Sequence, residues 1–307
     1  MAGKSIFRTA LASATLFAIA IFWAGCAVPL NHVGAFSQAS ADLAKQAADA
    51  YEYVNETTIE QHISDIAADP NLSPDDDTFE KLIVDSDLAA RISLLRGVEN
   101  YAKALGDLAS ADFRKEIDAA SKDLYGSLGK LQNTYASIKK EPLPLSDKDL
   151  AIIATAIDLI GTTIAEKQRR AALKTIVIQT NFSIQNAMKL VSSEIPALKS
   201  LVLANLDVIW TDKVKAYQKE VMGLSFDQRV AKLRDIRKSY ECIDIASRLL
   251  DGIVSASRKI SDAHAALQEA VKADKFTTEK MVKEIKNLTE LAKSIKQFHD
   301  KLLTAKE

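Results

Sequence analysis

Apolar residues recur along this chain at intervals of three and four, the spacing that lines one face of an α-helix, and strand-like alternation is scarce. Over residues 36–67 the rhythm is carried by Leu43, Ala47, Ala50 and Val54, which predicts a first helix. The string "DPNLSPDDD" interrupts it, and a second helix is expected over 74–108, where Leu95, Val98, Ala102 and Leu105 repeat. Ser73 would be its N-cap and Pro74 its first helical residue, with Asp75 and Asp76 at the positive end of the helix dipole. A third helix over 111–139 places Ile117, Leu124, Leu128, Leu131, Tyr135 and Ile138 on one face.

The segment "EPLPLSD" is the sharpest break, because its two prolines cannot continue a helix. Ser146 and Asp149 then form a capping box for the next helix. Residues 147–193 read as one apolar helix, roughly 70 Å long at 1.5 Å per residue. Pro196 is expected to kink or interrupt it before it resumes to about residue 222. Gly223 ends that segment and Ser225 caps a further long helix to about residue 273. Its seam of Ile243, Ala246, Leu250, Ile253, Ser257, Ile260, His264, Leu267 and Val271 alternates steps of three and four, as in a coiled coil. A last helix buries Met281, Ile285, Leu288, Ile295, Phe298 and Leu302. The pattern predicts an all-α, elongated helical bundle with long coiled-coil-like helices. Residues 36–139 form its three-helix first segment and 147–304 its second, with 140–146 either a boundary or a loop within one continuous bundle.

Composition agrees: 48% hydrophobic residues suffice for a core, and ten Gly and six Pro are few for 307 residues. A net charge of -1 conceals an asymmetry. Residues 42–90 hold thirteen acids against two bases, whereas 210–307 carry an excess of five bases. The acidic first helices are therefore expected to dock on the basic last ones. No Lys/Arg cluster is interleaved with aromatics, so nucleic acid is not an expected partner.

The N-terminus changes the picture most. Lys4 and Arg8 precede residues 9–25, which run seventeen positions without a charge and end in small residues. A basic flank, an apolar run at the short limit for a span and a small-residue end describe a secretory signal peptide over residues 1–25. Ala24, Gly25 and Cys26 resemble the lipobox of bacterial lipoproteins, with Trp23 standing where that class usually has Leu. The resemblance implies signal-peptidase recognition through Trp23, Ala24 and Gly25. It also implies a diacylglyceryl group and acyl chains on Cys26, the only cofactor-like groups expected. Cys26 becomes the mature first residue, on a short tether of residues 26–35 that holds the body close to a lipid bilayer. With Ala27 after the cysteine, the class implies an outer-membrane location facing the periplasm. Two or three acyl chains give stable anchoring where one does not. Cys242, the remaining cysteine, is read as a partly buried small hydrophobe.

Chemistry elsewhere is thin. Asp69, Asn71, Ser73, Asp75, Asp77 and Glu80 fall at liganding positions of an EF-hand register. Pro74 occupies the position that needs glycine, so helix capping explains the loop better than a cation. His32, His62, His264 and His299 follow no metal-ligand spacing; His264, on the seam, is read as a buried polar residue that fixes helix register. No phosphate loop or nucleophile elbow is present, and an enzyme is not expected. Two functional readings follow. One is a membrane-anchored envelope lipoprotein acting as a structural or interaction bundle with a protein partner. The other is a membrane-active helical protein, a toxin or toxin-system component, using the apolar region 150–180.

Overall fold

The computed structural model describes residues 28–69, 71–111, 113–162, 166–273 and 278–306. Seven α-helices make up the described chain: α1 (Val28–Ala68), α2 (Asp85–Ser110), α3 (Arg114–Lys139), α4 (Asp147–Thr162), α5 (Glu166–Glu220), α6 (Phe226–Lys272) and α7 (Glu279–Lys306). Short 3-10 turns occupy Asp76–Phe79 and Val221–Gly223, and no strand occurs among the described residues. The fold is an all-α bundle, as the periodicity predicts.

Helix α5 is the spine. Its 55 residues extend about 80 Å at 1.5 Å per residue. Helix α1 runs parallel to it, since Tyr51 meets Glu194, Thr58 meets Asn205 and Ser64 meets Asp212 in order. Helix α6 returns antiparallel along α5, with His264 opposite Asn181, Asp251 opposite Lys199 and Asp235 opposite Lys213. Helix α2 folds back along α1, α3 along α2 and α7 along α6, each an antiparallel neighbour. Ala, Leu, Ile and Val from every helix meet in one continuous core from Val33 to Ile295. The seam is buried as its spacing requires, Ala246 through Val271, with Ile243 half-buried at its start.

Four expectations need correction. Helix α1 begins at Val28 and not at residue 36, so the described part of the proposed tether is helix. Pro29 lies in the first turn, where its missing N–H costs nothing, and Val33 and Phe36 already face the core. Helix α2 begins at Asp85 and not at Pro74, so Ser73 caps no helix there. Asn55 holds the preceding segment off: its side-chain amide donates to the Ile83 carbonyl at 2.9 Å and accepts from the Ile83 N–H at 2.8 Å. A residue with both backbone groups committed to another helix cannot join an i to i−4 ladder. The single helix expected over 147–193 is two, α4 and α5, joined through residues 163–165. Gly161 and Thr162 are weak helix formers at the end of α4, and packing α4 against α5 lets both pieces bury apolar faces. Pro196, expected to kink or interrupt its helix, does not interrupt it: α5 continues through that residue. It sits on the exposed side of α5, where water can take the carbonyl that its ring leaves unbonded.

The 140–146 segment, which the sequence leaves open between a boundary and a loop, is stitched to its neighbours. Lys140 ends α3 in a left-handed conformation (φ 59°) while its N–H bonds the Ala136 carbonyl at 2.9 Å. Leu143 and Leu145 then plug the core. Gln132 donates to the Leu145 carbonyl at 3.0 Å and Ser183 to the Pro144 carbonyl at 3.1 Å. The segment is thus bonded to both α3 and α5. Ser146 and Asp149 cap α4 reciprocally, and Ser225 and Gln228 cap α6 in the same way.

Candidate functional site

Trp23, Ala24, Gly25 and Cys26, the residues of the lipobox resemblance, lie outside the described residues. The described chain starts two residues after Cys26, at Val28, already helical. Because α1 parallels α5, Val28 lies at the end of the bundle remote from the α5–α6 turn. Counting 1.5 Å per residue outward from the Tyr51–Glu194 contact, the two ends stand about 70 Å apart.

The Asp-rich loop folds as local turns. Asp69 accepts from the backbone and side chain of Asn71, both at 2.9 Å. Asp75 accepts from the Thr78 N–H at 3.0 Å and from its hydroxyl at 2.9 Å, capping the 3-10 turn. Among the described residues no group of three or more metal-ligating side chains assembles; the side chain of Asp77 lies outside them.

The most constrained polar cluster is one that the sequence announced only through His264. Its ring is 0% exposed, contributed by α6 into the space between α1, α2 and α5. Nε2 lies 2.7 Å from the Tyr101 hydroxyl and Nδ1 2.9 Å from the Asn181 side-chain oxygen. The Tyr101 hydroxyl also lies 2.8 Å from the Thr180 hydroxyl, and Phe36 contacts the imidazole edge-on at 5.6 Å. An Asn oxygen at Nδ1 requires the proton there, leaving Nε2 to accept from Tyr101. Burial holds the imidazole neutral, lowering its pKa to about 3, and pushes the Tyr101 hydroxyl above its ordinary range. Three helices, α2, α5 and α6, are thereby fixed in one axial register, because sliding any of them by a turn would leave these buried groups unbonded.

A second tie crosses the bundle nearer its middle. Arg91 of α2 grips Glu194 of α5 through two nitrogens, at 3.0 and 2.9 Å, and Tyr51 of α1 donates to the same carboxylate at 3.0 Å. Burial, and then the adjacent carboxylate, raises the Tyr51 hydroxyl. At the far end Arg169 of α5 is buried against the C-terminus of α2, donating to the carbonyls of Ala109 and Ala111. These positions were not singled out by spacing, since each partner comes from a different helix.

A groove of about 460 Å³ runs between α1, α5 and α6 beside Cys242. Tyr53, Leu206, Ile209 and the half-buried Cys242 give it an apolar floor, while Glu56 and Glu60 of α1 face Lys213 and Lys238 on the other wall. Lys213 is itself paired with Asp235 at 2.9 Å. Acidic α1 meeting basic α5 and α6 here is the local form of the charge asymmetry in the sequence. The apolar region 150–180 is packed: Ile153, Ala156, Ile157, Leu173, Ile176 and Val177 are core residues. Among the described residues no helix is long and apolar enough to cross a membrane.

No family model, curated protein or solved structure matches this chain.

Proposed function

We propose that this protein is a lipid-anchored bacterial envelope lipoprotein whose helical bundle is a structural or protein-interaction module held at the membrane by Cys26. The observation that carries the reading is the N-terminal sequence: Lys4 and Arg8, seventeen uncharged positions and then Ala24-Gly25-Cys26. Acyl chains on Cys26 place it in a lipid leaflet, the outer membrane facing the periplasm by the resemblance to its class. The start of α1 at Val28 supports a stiff attachment, because helix leaves almost no slack between anchor and bundle. The rigid ties at His264 and Glu194 support a role in holding distance and orientation for a partner in the envelope.

The test is Cys26→Ser. The variant is expected to accumulate as the longer precursor and to lose incorporation of labelled palmitate. Unchanged processing and labelling would refute the anchor.

A further inference from the structure

The turn between α5 and α6 carries large apolar side chains to the extreme end of the molecule. Met222 is 97% exposed and Phe226 73%, with Val221 and Leu224 half-buried between and beside them. Core formation does not explain them, since both side chains are mostly in solvent. The two helices below this tip are basic: residues 213–238 contain eight Lys and Arg against three acids. Lys219, Arg229, Arg234 and Lys238 are exposed and form no ion pair among the described residues. Of the three acids, Glu220 is paired with Lys232 and Asp235 with Lys213, leaving Asp227 as the acid at the tip without such a pairing.

From this arrangement we infer that the α5–α6 tip docks on an anionic lipid bilayer, Met222 and Phe226 entering the interfacial region while the basic shanks meet the headgroups. Each half of the feature selects for the other. An apolar wedge gains by leaving water for a hydrocarbon boundary, and a basic shank gains near an anionic leaflet within about 10 Å at ordinary salt. Two copies meeting tip to tip would bring like charges together, so self-association fits less well. A polyanion without an apolar phase would leave Met222 and Phe226 in water. The inference is separate from the acylation of Cys26, because it concerns the opposite end of the bundle.

Gly223 supplies a local probe site. A Cβ there meets nothing within 4 Å and the backbone is not in the left-handed region, so cysteine is accommodated. The experiment uses the full chain with Cys26→Ser, Cys242→Ser and Gly223→Cys, labelled at position 223 with an environment-sensitive fluorophore. Vesicles of phosphatidylcholine alone are compared with vesicles containing phosphatidylglycerol. The expected result is a blue shift and intensity rise with the anionic vesicles, weakening as salt goes from about 0.1 to 1 M. Adding Met222→Ser and Phe226→Ser should lower the apparent affinity about tenfold or more. Lys219→Glu with Arg229→Glu should abolish the preference for anionic lipid, with helix content by circular dichroism unchanged. A silent probe on anionic vesicles, an equal response to neutral ones, or a response indifferent to both variant pairs would overturn the inference. Because the fluorophore sits on the tip, vesicle binding through the N-terminal segment alone leaves it silent. Failure here is therefore distinct from failure of the Cys26 anchor.

Discussion

Lowering the pH from 7.5 to 5 should destabilise this protein specifically through His264. In the folded chain the imidazole is enclosed by Tyr101, Thr180, Asn181 and Phe36, none of them charged, and its pKa is held at about 3 by burial. In the unfolded chain it returns to about 6.5. Between these values the unfolded state binds a proton that the folded state refuses, so stability rises with pH through this window and falls as pH drops. The contribution is absent above about pH 7. It grows to a loss of about 2 kcal/mol at pH 5, approaching a slope of about 1.4 kcal/mol per pH unit. The assayed interval, from pH 7.5 to 5, lies above the ordinary carboxylate range. Asp149, whose pKa is lowered by its bonds to Ser146, withdraws its support only as the pH falls through that lower range.

The assay is urea unfolding followed by circular dichroism at pH 7.5, 6.5, 5.5 and 5, for the wild type and for His264→Gln. Glutamine keeps a polar side chain at the site without a titrating group. The variant is expected to be less stable at pH 7.5, because the geometry with Tyr101 and Asn181 is disturbed. That deficit should shrink by about 2 kcal/mol on going to pH 5, since only the wild type bears the protonation term. A difference between the two proteins that stays constant within about 0.5 kcal/mol over this range would refute a buried, neutral His264.

Asn55→Ala should cost about 2–4 kcal/mol, because it strips both backbone partners from Ile83. Hydrogen exchange across 69–84 should quicken more than across α3; uniform exchange would disprove the latch. Glycine positions should respond with opposite signs to one chemical change. At Gly252 a Cβ would meet Ile295 Cγ1 at 2.8 Å, so Gly252→Ala should destabilise the α6–α7 contact by about 1–3 kcal/mol. At the exposed Gly126 of α3 a Cβ meets nothing within 4 Å, so Gly126→Ala should stabilise by about 1 kcal/mol. Urea midpoints moving the same way in both would show that the close approach at Gly252 does not constrain the pair.

Helix rhythm is local information, and what depended on it alone was legible. The faces of α3, α6 and α7 were readable because each core position is repeated within one helix, Leu302 apart, whose side chain lies outside the described residues. So were the caps at Ser146 and Ser225, which bond residues three apart. What was hidden depends on partners far along the chain. Nothing near Ile83 says that Asn55 will occupy its backbone, and nothing near Pro196 says which side of α5 faces water. The packing of α4 against α5 has no proline between them to announce it. It exists because α4 and α5 bury more apolar surface side by side than end to end. His264 was visible as a polar seam residue, but its partners Tyr101 and Asn181 lie on α2 and α5. The groove beside Cys242 likewise draws its walls from three helices.

The charge asymmetry, unlike the groove, was visible in the sequence but took its meaning only from helix lengths. Helix α1 stops at Ala68, close to Ala216 of α5, where both line a shallow groove with Asp212 and Lys213. Up to that level acidic α1 lies against basic α5 and α6, and Glu56 and Glu60 face Lys213 and Lys238. Beyond it α5 and α6 continue together without α1. Lys219 and Arg229 therefore project past the end of the helix whose acids flank the shank below. An excess of charge that is merely structural would be expected to end with the partner that neutralises it. Here it extends past that partner and ends in Met222 and Phe226, which also lack a cover within the fold. Opposite charge and an apolar medium are thus both called for at one place, the end of the bundle farthest from Val28. A bilayer with anionic headgroups supplies them together.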